Sequence, residues 1–494
     1  MNKTSLAVVL FAIAGFANQG HGSLPIYPSQ PTFQRQPESG VRQDLPKDRS
    51  VELTLSDAIY LALRDNRLIR SAYLDRVAQK FDLRVAEDRY TPRLLINGSY
   101  LSASNQDDRY LQGAVTPTAT LLSPYGTRVS VGWAYRHTNA DAAGISRNDG
   151  ANLSLVQPLL RGAGREVVEA PLRLARLAEQ ANRLNLKSTV TQTITRIIGQ
   201  HRMLLQAQEQ FKISEASLKR ARQLLEVNRA LIDAGRMAEF EIVQTEAEVA
   251  SQELAHEGAR NQLDVTRLAL LQLLAVDLST PVEAIDSLNA QPLQLDAARA
   301  LQQAEAFQPA YLAQLIYSEQ ANIYLALGRN ARLWDVSLVG AASQVRDRSA
   351  AGSSLPSWQR YVGVQVEIPL GDLSSRQAEL RAQVDQRNQE LRLEEARQQL
   401  ALDVKNAVRE IGTRWRQYEI AQRATELSRR KLDIEREKLV VGRSSNFQVL
   451  SFESDLRNAE NVRVSALISY LNSQAELDQT LGTTLDSWDI SLND

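Results

Sequence analysis

The 494-residue chain contains no cysteine. That one absence excludes disulfides, thiolate metal centres, cysteine nucleophiles and N-terminal lipoprotein acylation. Histidine is nearly as scarce, with only His21, His137, His201 and His256, none of them at ligand spacing from other donors, so no metal site is expected. Charge of one sign is lacking too: the formal net charge is −1, which leaves no electrostatic footprint for nucleic acid. The glycine-rich run Arg161-Gly-Ala-Gly-Arg165 lacks the Lys-Ser/Thr of a phosphate-binding loop and reads as a strand-to-helix hinge. No nucleophile–base constellation emerges. The expectation is therefore no enzyme, no catalytic residue and no cofactor.

Long apolar runs are also missing. Leu6–Phe16 is too short to cross a bilayer, which takes ~20 apolar residues. With Lys3 before it and small residues after it, the run reads as a secretory signal over residues 1–22. Further on, the longest apolar stretch, Leu268–Val276, is shorter still. An exported chain without a spanning helix is periplasmic, secreted, or a β-barrel of the outer membrane.

What is present is order after a spacer. Pro25, Pro28, Pro31, Pro37 and Pro46 mark residues 23–50 as an extended linker. Thr54-Leu-Ser-Asp57 then forms a capping box ahead of Ala58, Ile59, Ala62 and Leu63, which share one helical face.

Four landmarks recur in the same order later in the chain. Leu53-Thr-Leu55 returns as Leu293-Gln-Leu295, and Arg93-Leu94 as Arg332-Leu333. Gln157-Pro158-Leu159 returns as Ile368-Pro369-Leu370, and Ala234-Gly235-Arg236 as Val441-Gly442-Arg443. Ordered recurrence implies a tandem duplication: a first repeat over 51–292, a second over 293–486 and a short tail over 487–494.

The strands alternate. Val129, Val131, Trp133 and Tyr135 share one face, with Arg128, Ser130, Gly132 and Arg136 on the other. Val362, Val364, Val366 and Ile368 oppose Tyr361, Gly363, Gln365 and Glu367 in the same way. This fits either a soluble hairpin or a lipid-facing barrel with a wet lumen.

Helical seams tip the balance. Leu177, Ala181 and Leu184, then Val190, Ile194 and Ile197, then Leu218, Leu225 and Ile232 follow coiled-coil steps. Leu380, Val384, Leu391, Leu400, Ala407 and Ile411 do so in the second half. Each rod turns at a glycine and returns, over Ala238–Ala275 and Asn446–Leu481. Hairpins this long with small seam residues imply side-by-side packing in a wall built from several copies. The helices leave and re-enter on one side, so each repeat needs an even number of strands. Residues 94–103 and 151–157, then 335–344 and 360–368, give four per chain, with 115–122 and 127–136 read as a hairpin extension. Four strands cannot close a barrel, but three chains could.

At this point the sequence resembles the outer membrane efflux protein (TolC-like) family, from about Val51 to Asp486. The resemblance rests on Leu53-Thr-Leu-Ser-Asp-Ala58, Gln157-Pro-Leu-Leu-Arg-Gly162 and the two glycine turns. It implies a mainly α fold with β: a homotrimer whose 12-stranded outer-membrane barrel, four strands per chain, continues into a long periplasmic coiled-coil barrel. The function it implies is passive conduction across the periplasm and outer membrane, in a tripartite efflux or type I secretion system with a periplasmic adaptor and an inner-membrane transporter.

Carried over residue by residue, the periplasmic entrance would comprise Gly235, Arg236, Glu239, Phe240 and Glu241. In the second repeat it would comprise Gly442, Arg443, Ser444, Phe447, Gln448 and Ser451. Gln448 and Ser451 stand where the family often has carboxylates, so an acidic ring is either absent or supplied by Glu239 and Glu241. Those two acids also suit a helix N-terminus through its dipole. Phe240 and Phe447 read as packing residues at the tip. The competing reading from another class is a periplasmic or surface structural coiled coil without channel activity.

Overall fold

In the computed structural model, residues 50–104, 108–349, 352–353, 356–371 and 373–492 are described. The proposed signal and nearly all of the linker fall outside them. The chain opens with a three-residue strand, β1 (Val51–Leu53), followed by α1 (Leu55–Asp65) and α2 (Arg67–Glu87). The capping box ahead of α1 is formed: the Asp57 amide donates to Thr54 Oγ1 at 3.1 Å, and the Thr54 amide donates to Asp57 Oδ2 at 3.4 Å. Asn66 caps α2, accepting from the amides of Leu68 and Ile69.

Four long strands follow: β2 (Arg93–Ser104), β3 (Arg109–Leu122), β4 (Arg128–Ala140) and β5 (Gly144–Pro158). Then comes α3 (Ala170–Asp233), 64 residues and so roughly 100 Å long, and the returning α4 (Glu241–Leu274). After β6 (Val282–Ala284), which pairs in parallel with β1, helices, two long strands and a second long helical hairpin follow. These are α5 (Ala297–Phe307), α6 (Pro309–Ala331), β7 (Asp335–Ser349), β8 (Ser357–Glu367), α7 (Ser374–Val440) and α8 (Asn446–Leu481). The return helix α8 has the bounds its sequence suggests, whereas α4 starts three residues later than Ala238, after a short turn.

The long strands form one antiparallel sheet in the order β2-β3-β4-β5-β7-β8, with a two-residue bridge at Gly352–Ser353 beside the end of β7. This corrects the expectation of four strands. β3 and β4 are not an appendage to the sheet; they lie between β2 and β5, and each is laddered on both sides. The duplication argument allowed two strands per repeat and discounted the local alternation of residues 128–136. An extra hairpin preserves evenness, so nothing in the topology forbids it.

Among the described residues, packing is concentrated in four clusters along the helices, the smallest of them Ala170, Leu177 and Ile323. Ile69, Val190, Ile194, Ile197, Leu204, Leu270 and Leu274 form the largest cluster, against α1 and β1. Leu400, Val404, Ile411, Tyr470 and Leu477 form its counterpart beside α5. A third, with Leu224, Leu432, Leu439, Val449 and Leu456, holds the far ends of the hairpins together. The seam of α3 runs through Leu218, Ala221 and Leu224, whereas Leu225 and Ile232 are only half-buried. Leu380, Val384 and Leu391 of α7, and Leu74, Val77, Phe81 and Val85 of α2, stay exposed on the single chain. The apolar stripes on the two helices are continuous but uncovered.

Candidate functional site

At the end of the hairpins farthest from the sheet, both reversals use the same backbone device. The Arg236 amide donates to the Leu231 carbonyl and the Gly235 amide to Ile232, each at 2.8 Å. Arg443 donates to Lys438 at 2.8 Å and Gly442 to Leu439 at 3.0 Å, repeating the pattern. This is the Schellman motif, which requires a left-handed residue; Gly235 has φ 68° and Gly442 φ 72°. Gly235 and Gly442 therefore occupy the turns that the sequence assigns to them.

The remaining expected residues divide into two groups. Arg236, Glu239, Phe240, Arg443 and Phe447 are exposed; Glu241, Ser444, Gln448 and Ser451 are half-buried. Arg236 Nη2 reaches the Val440 carbonyl of the other tip at 3.5 Å. Ser444 has an internal task, donating its hydroxyl to Glu435 Oε1 at 2.6 Å, while Lys438 Nζ donates to Oε2 at 3.0 Å. The Ser444 hydroxyl and then Lys438 hold the Glu435 carboxyl below its ordinary range. The expectation that Phe240 and Phe447 pack within the tip is not met, since Phe240 is 77% and Phe447 64% exposed. Phe240 precedes α4 and Phe447 lies in the first turn of α8, and neither ring is covered among the described residues.

Beneath the turns lies a feature that sequence reasoning missed. Asn228 of α3, Thr245 of α4 and Asn446 of α8 are all sealed from solvent. Asn228 Nδ2 donates to Thr245 Oγ1 at 2.7 Å and to Asn446 Oδ1 at 2.9 Å, and Asn446 Nδ2 donates to Thr245 Oγ1 at 2.9 Å. The knot ties the two hairpins together, leaving Asn228 Oδ1 without a partner. Its only trace in the sequence is a polar residue at α3's seam where an apolar one would serve. Further along, Arg220 of α3 meets Glu453 of α8 at 2.9 Å and so crosses between the hairpins, while Arg436 meets the same carboxylate and Arg429 meets Glu460 at 2.9 Å within the second hairpin.

At the opposite end, the sheet has two chemically distinct faces. Leu94 and Ile96 of β2, Val115 and Leu121 of β3, Val129, Val131 and Trp133 of β4, Leu153 and Leu155 of β5, Leu338 of β7 and Val362, Val364 and Val366 of β8 share one face through the ladder register, interrupted on β8 by Arg360. The other face carries Asn97, Thr116, Thr118, Ser130, Asn152, Ser154, Ser343 and Gln365. Among the described residues, no strand pairs with the outer edge of β2 or of β8. The sheet also joins the helices through specific contacts. Arg161 Nη2 donates to Asp335 Oδ2 at 2.8 Å, and the Gly162 amide to Asn330 Oδ1 at 2.8 Å, so Arg161–Arg165 is the strand-to-helix connection.

Among the described residues, no helix is long and apolar enough to cross a membrane, and no cluster of three or more His, Asp or Glu could hold a metal ion. Residues 290–483 match the family model of the outer membrane efflux protein. No curated protein matches the chain in sequence. In fold, the chain is similar to the Campylobacter jejuni CmeC outer membrane channel (TM-score 0.67, 15% identity, covering 87% of this chain and 86% of that one). It is similar also to the outer membrane protein VceC of Vibrio cholerae (0.66, 14%, 87% and 96%) and to the open state of the Neisseria gonorrhoeae MtrE outer membrane channel (0.66, 17%, 87% and 89%).

Proposed function

We propose that this chain, with an outer membrane efflux protein domain over residues 290–483, is the protomer of a homotrimeric outer-membrane channel whose helical part stands in the periplasm. In this role it is not an enzyme but a passive conduit, and an inner-membrane transporter coupled through a periplasmic adaptor supplies the energy. The partnership is that of a tripartite efflux or type I secretion system. The two-repeat division at residues 292 and 293, with a removable signal over 1–22, belongs to the same reading.

One observation carries it: a sheet with an apolar face, a polar face and two unsatisfied edges stands at one end of hairpins whose apolar stripes are uncovered. Backbone groups can face hydrocarbon only if every edge is paired, so such a sheet must close with other copies. β2 runs away from the helices and β8 runs back towards them, so the two edges of neighbouring copies meet antiparallel. The copies then cover one another's helical stripes, which no lone hairpin does.

The entrance lies at the tips. Gly235, Arg236, Glu239, Phe240 and Glu241, with Gly442, Arg443, Ser444, Phe447, Gln448 and Ser451, present the adaptor with two like-shaped turns. The bare Phe240 and Phe447 rings supply the apolar contact. Material purified from outer membranes is expected to run as a heat-modifiable trimer and to conduct ions across a planar bilayer. A soluble, single-copy, non-conducting rod rules the proposal out.

A further inference from the structure

The strand pair β3–β4 is the part of the sheet that two strands per repeat would not require. We infer that β3 and β4 are full members of the lipid-facing wall, so that each chain gives six membrane strands and the closed trimer is an eighteen-stranded barrel. The inference rests on the channel reading above and fixes the size of that channel's outer end.

Three independent features carry it. The first is length: β3 has 14 residues and β4 has 13, where a tilted strand needs ~9–11 to cross the hydrocarbon. The ladders confirm that the pair is in line. Leu94 stands opposite Ala119, Ala119 opposite Val131, Val131 opposite Leu153 and Leu153 opposite Ala342, an unbroken apolar row over five strands.

The second is the level of the apolar band. On β8 it extends from Trp358 to Val366, on β7 from Val336 to Ala342, on β5 from Ala151 to Leu155, on β4 from Val129 to Tyr135 and on β2 from Leu94 to Tyr100. Val336 faces Val366, but four strands away the band's first residue, Leu94, shares a row with Ala342 and Arg360. The band thus slides steadily along the ladder from β8 to β2, as strands tilted to one membrane plane require. β3 and β4 fall within that progression. Beyond the band the same face turns polar, with His137 on β4 opposite Arg147 on β5, and Arg147 opposite Arg348 on β7. Trp133 and Tyr135 stack at 5.9 Å next to that border, where aromatic girdles sit.

The third is the turn between the two strands, Ser123–Thr127, which lies on the helix side of the sheet. The Ser123 amide closes it on the Thr127 carbonyl at 2.8 Å, and the Thr127 hydroxyl bonds the Gln157 side chain at the exit of β5. Gly126 sits so close to the strand exit that an added Cβ would lie 2.8 Å from the Gly162 carbonyl and 3.0 Å from the Pro158 ring. The pair therefore goes from one side of the sheet to the other and is seated at its helix-side turn.

Barrel diameter grows roughly linearly with strand number, so eighteen strands give a lumen about half again as wide as twelve. The lining that β3 and β4 add is neutral and hydroxyl-rich at Thr116, Thr118, Thr120 and Ser130, with Arg128 and Arg136 as its cations. The wall is widened by polar, weakly binding surface rather than by a plug.

The test uses the full chain in outer-membrane vesicles, where the lack of native cysteine makes each introduced thiol unique. Val115→Cys and Val131→Cys probe the proposed lipid face, and Thr116→Cys and Ser130→Cys the lumen. Val364→Cys and Gln365→Cys on β8 serve as reference positions. Each thiol carries a nitroxide, and its collisions with oxygen and with an aqueous nickel chelate are measured. Oxygen-dominated collisions at 115, 131 and 364, with nickel-dominated collisions at 116, 130 and 365, are expected. Alternation at 364 and 365 with none on β3 and β4 overturns the six-strand wall and leaves the channel standing. Loss of alternation on β8 as well overturns both. Projections of the trimer give a second measure, a barrel end about one and a half times the width of a twelve-stranded ring; a twelve-stranded width refutes the inference even if labelling alternates.

Discussion

Asn228 and Asn446, 218 positions apart, share a hydrogen bond of 2.9 Å inside the tip, and neither side chain is open to solvent. Each lies on a different hairpin, so the bond and its Thr245 partner are a buried polar part of what holds the two tips in one arrangement. Asn446→Ala leaves one hydrogen of the Asn228 amide without an acceptor, a loss of ~1–3 kcal/mol for a buried group. Amide exchange in α3 near residue 228 and in the first turns of α4 and α8 should then quicken by about 5- to 150-fold. Exchange around Leu270 and Tyr470, in the other clusters, should hardly change. Uniform quickening along the hairpins would contradict a local role for the knot.

Glycines at the two ends of the molecule are constrained differently. Gly235→Ala meets no atom within 4 Å, so it costs only the left-handed backbone penalty of ~1–2 kcal/mol. Gly126→Ala adds a collision with the Gly162 carbonyl and should cost more, ~2–4 kcal/mol. The dissociation temperature of the assembled protein should therefore fall further for Gly126→Ala. Equal losses would mean that the β3–β4 turn is not seated as described.

The exposed rings at the tips invite a separation of folding from function. Phe240→Ser and Phe447→Ser remove side chains that are largely in water already, so each should alter stability by less than ~0.5 kcal/mol. Export in cells carrying the cognate transporter and adaptor should nonetheless drop sharply, and the double variant should be close to inactive. Undiminished export with correct assembly would remove the two rings from the docking surface.

His201 gives the fold a pH dependence of known sign. Its ring is wholly buried, Nε2 stands 3.1 Å from the Leu53 carbonyl and 3.4 Å from Asp286 Oδ2, and Nδ1 has no partner. The short distance to Asp286 suggests an ion pair, but burial outweighs both the Leu53 carbonyl and Asp286 and lowers the ring's pKa, so the neutral Nε2–H tautomer donates to Leu53. A lowered pKa in the fold means that the unfolded chain takes up the proton first as pH falls below ~6.5, the ordinary histidine value. Stability contributed by this site should decline from that point downward. Urea midpoints at pH 7.5 and 5.5 test this: the native chain should lose more on acidification than His201→Gln, which keeps a donor for Leu53. An equal loss would show that the fold does not lower the pKa of this ring.

Local chemistry made much of this architecture readable. Thr54 and Asp57 declared a helix start, Gly235 and Gly442 declared the reversals, and alternation from Val129 to Tyr135 declared a strand. Each signal spans a few residues and depends on backbone geometry alone. Where the reading failed, the cause was distance. Membership of β3 and β4 in the sheet depends on pairing with β2 and β5, and the strict repeat logic concealed it. Seven-residue steps from Leu218 led to Leu225, whereas the structure buries Ala221, Leu224 and Asn228, a local three- and four-residue spacing that a fixed heptad does not follow. The Asn228 knot was illegible because its partners come from three separate helices, and no periodicity announces a hydrogen bond across 218 residues.

The open flanks of β2 and β8 also dictate the order of the molecule's biogenesis. Each offers a full row of amide and carbonyl groups to whatever strand arrives first, and the stripe through Leu380, Val384 and Leu391 is bare at the same time. In the proposed trimer, a newly exported chain is therefore a template for mispairing until its sisters reach it. Under that reading its survival depends on escort through the aqueous compartment and on ring closure coinciding with insertion, so shortage of escort factors should deplete this protein before it depletes single-chain barrels, whose edges meet within one polypeptide.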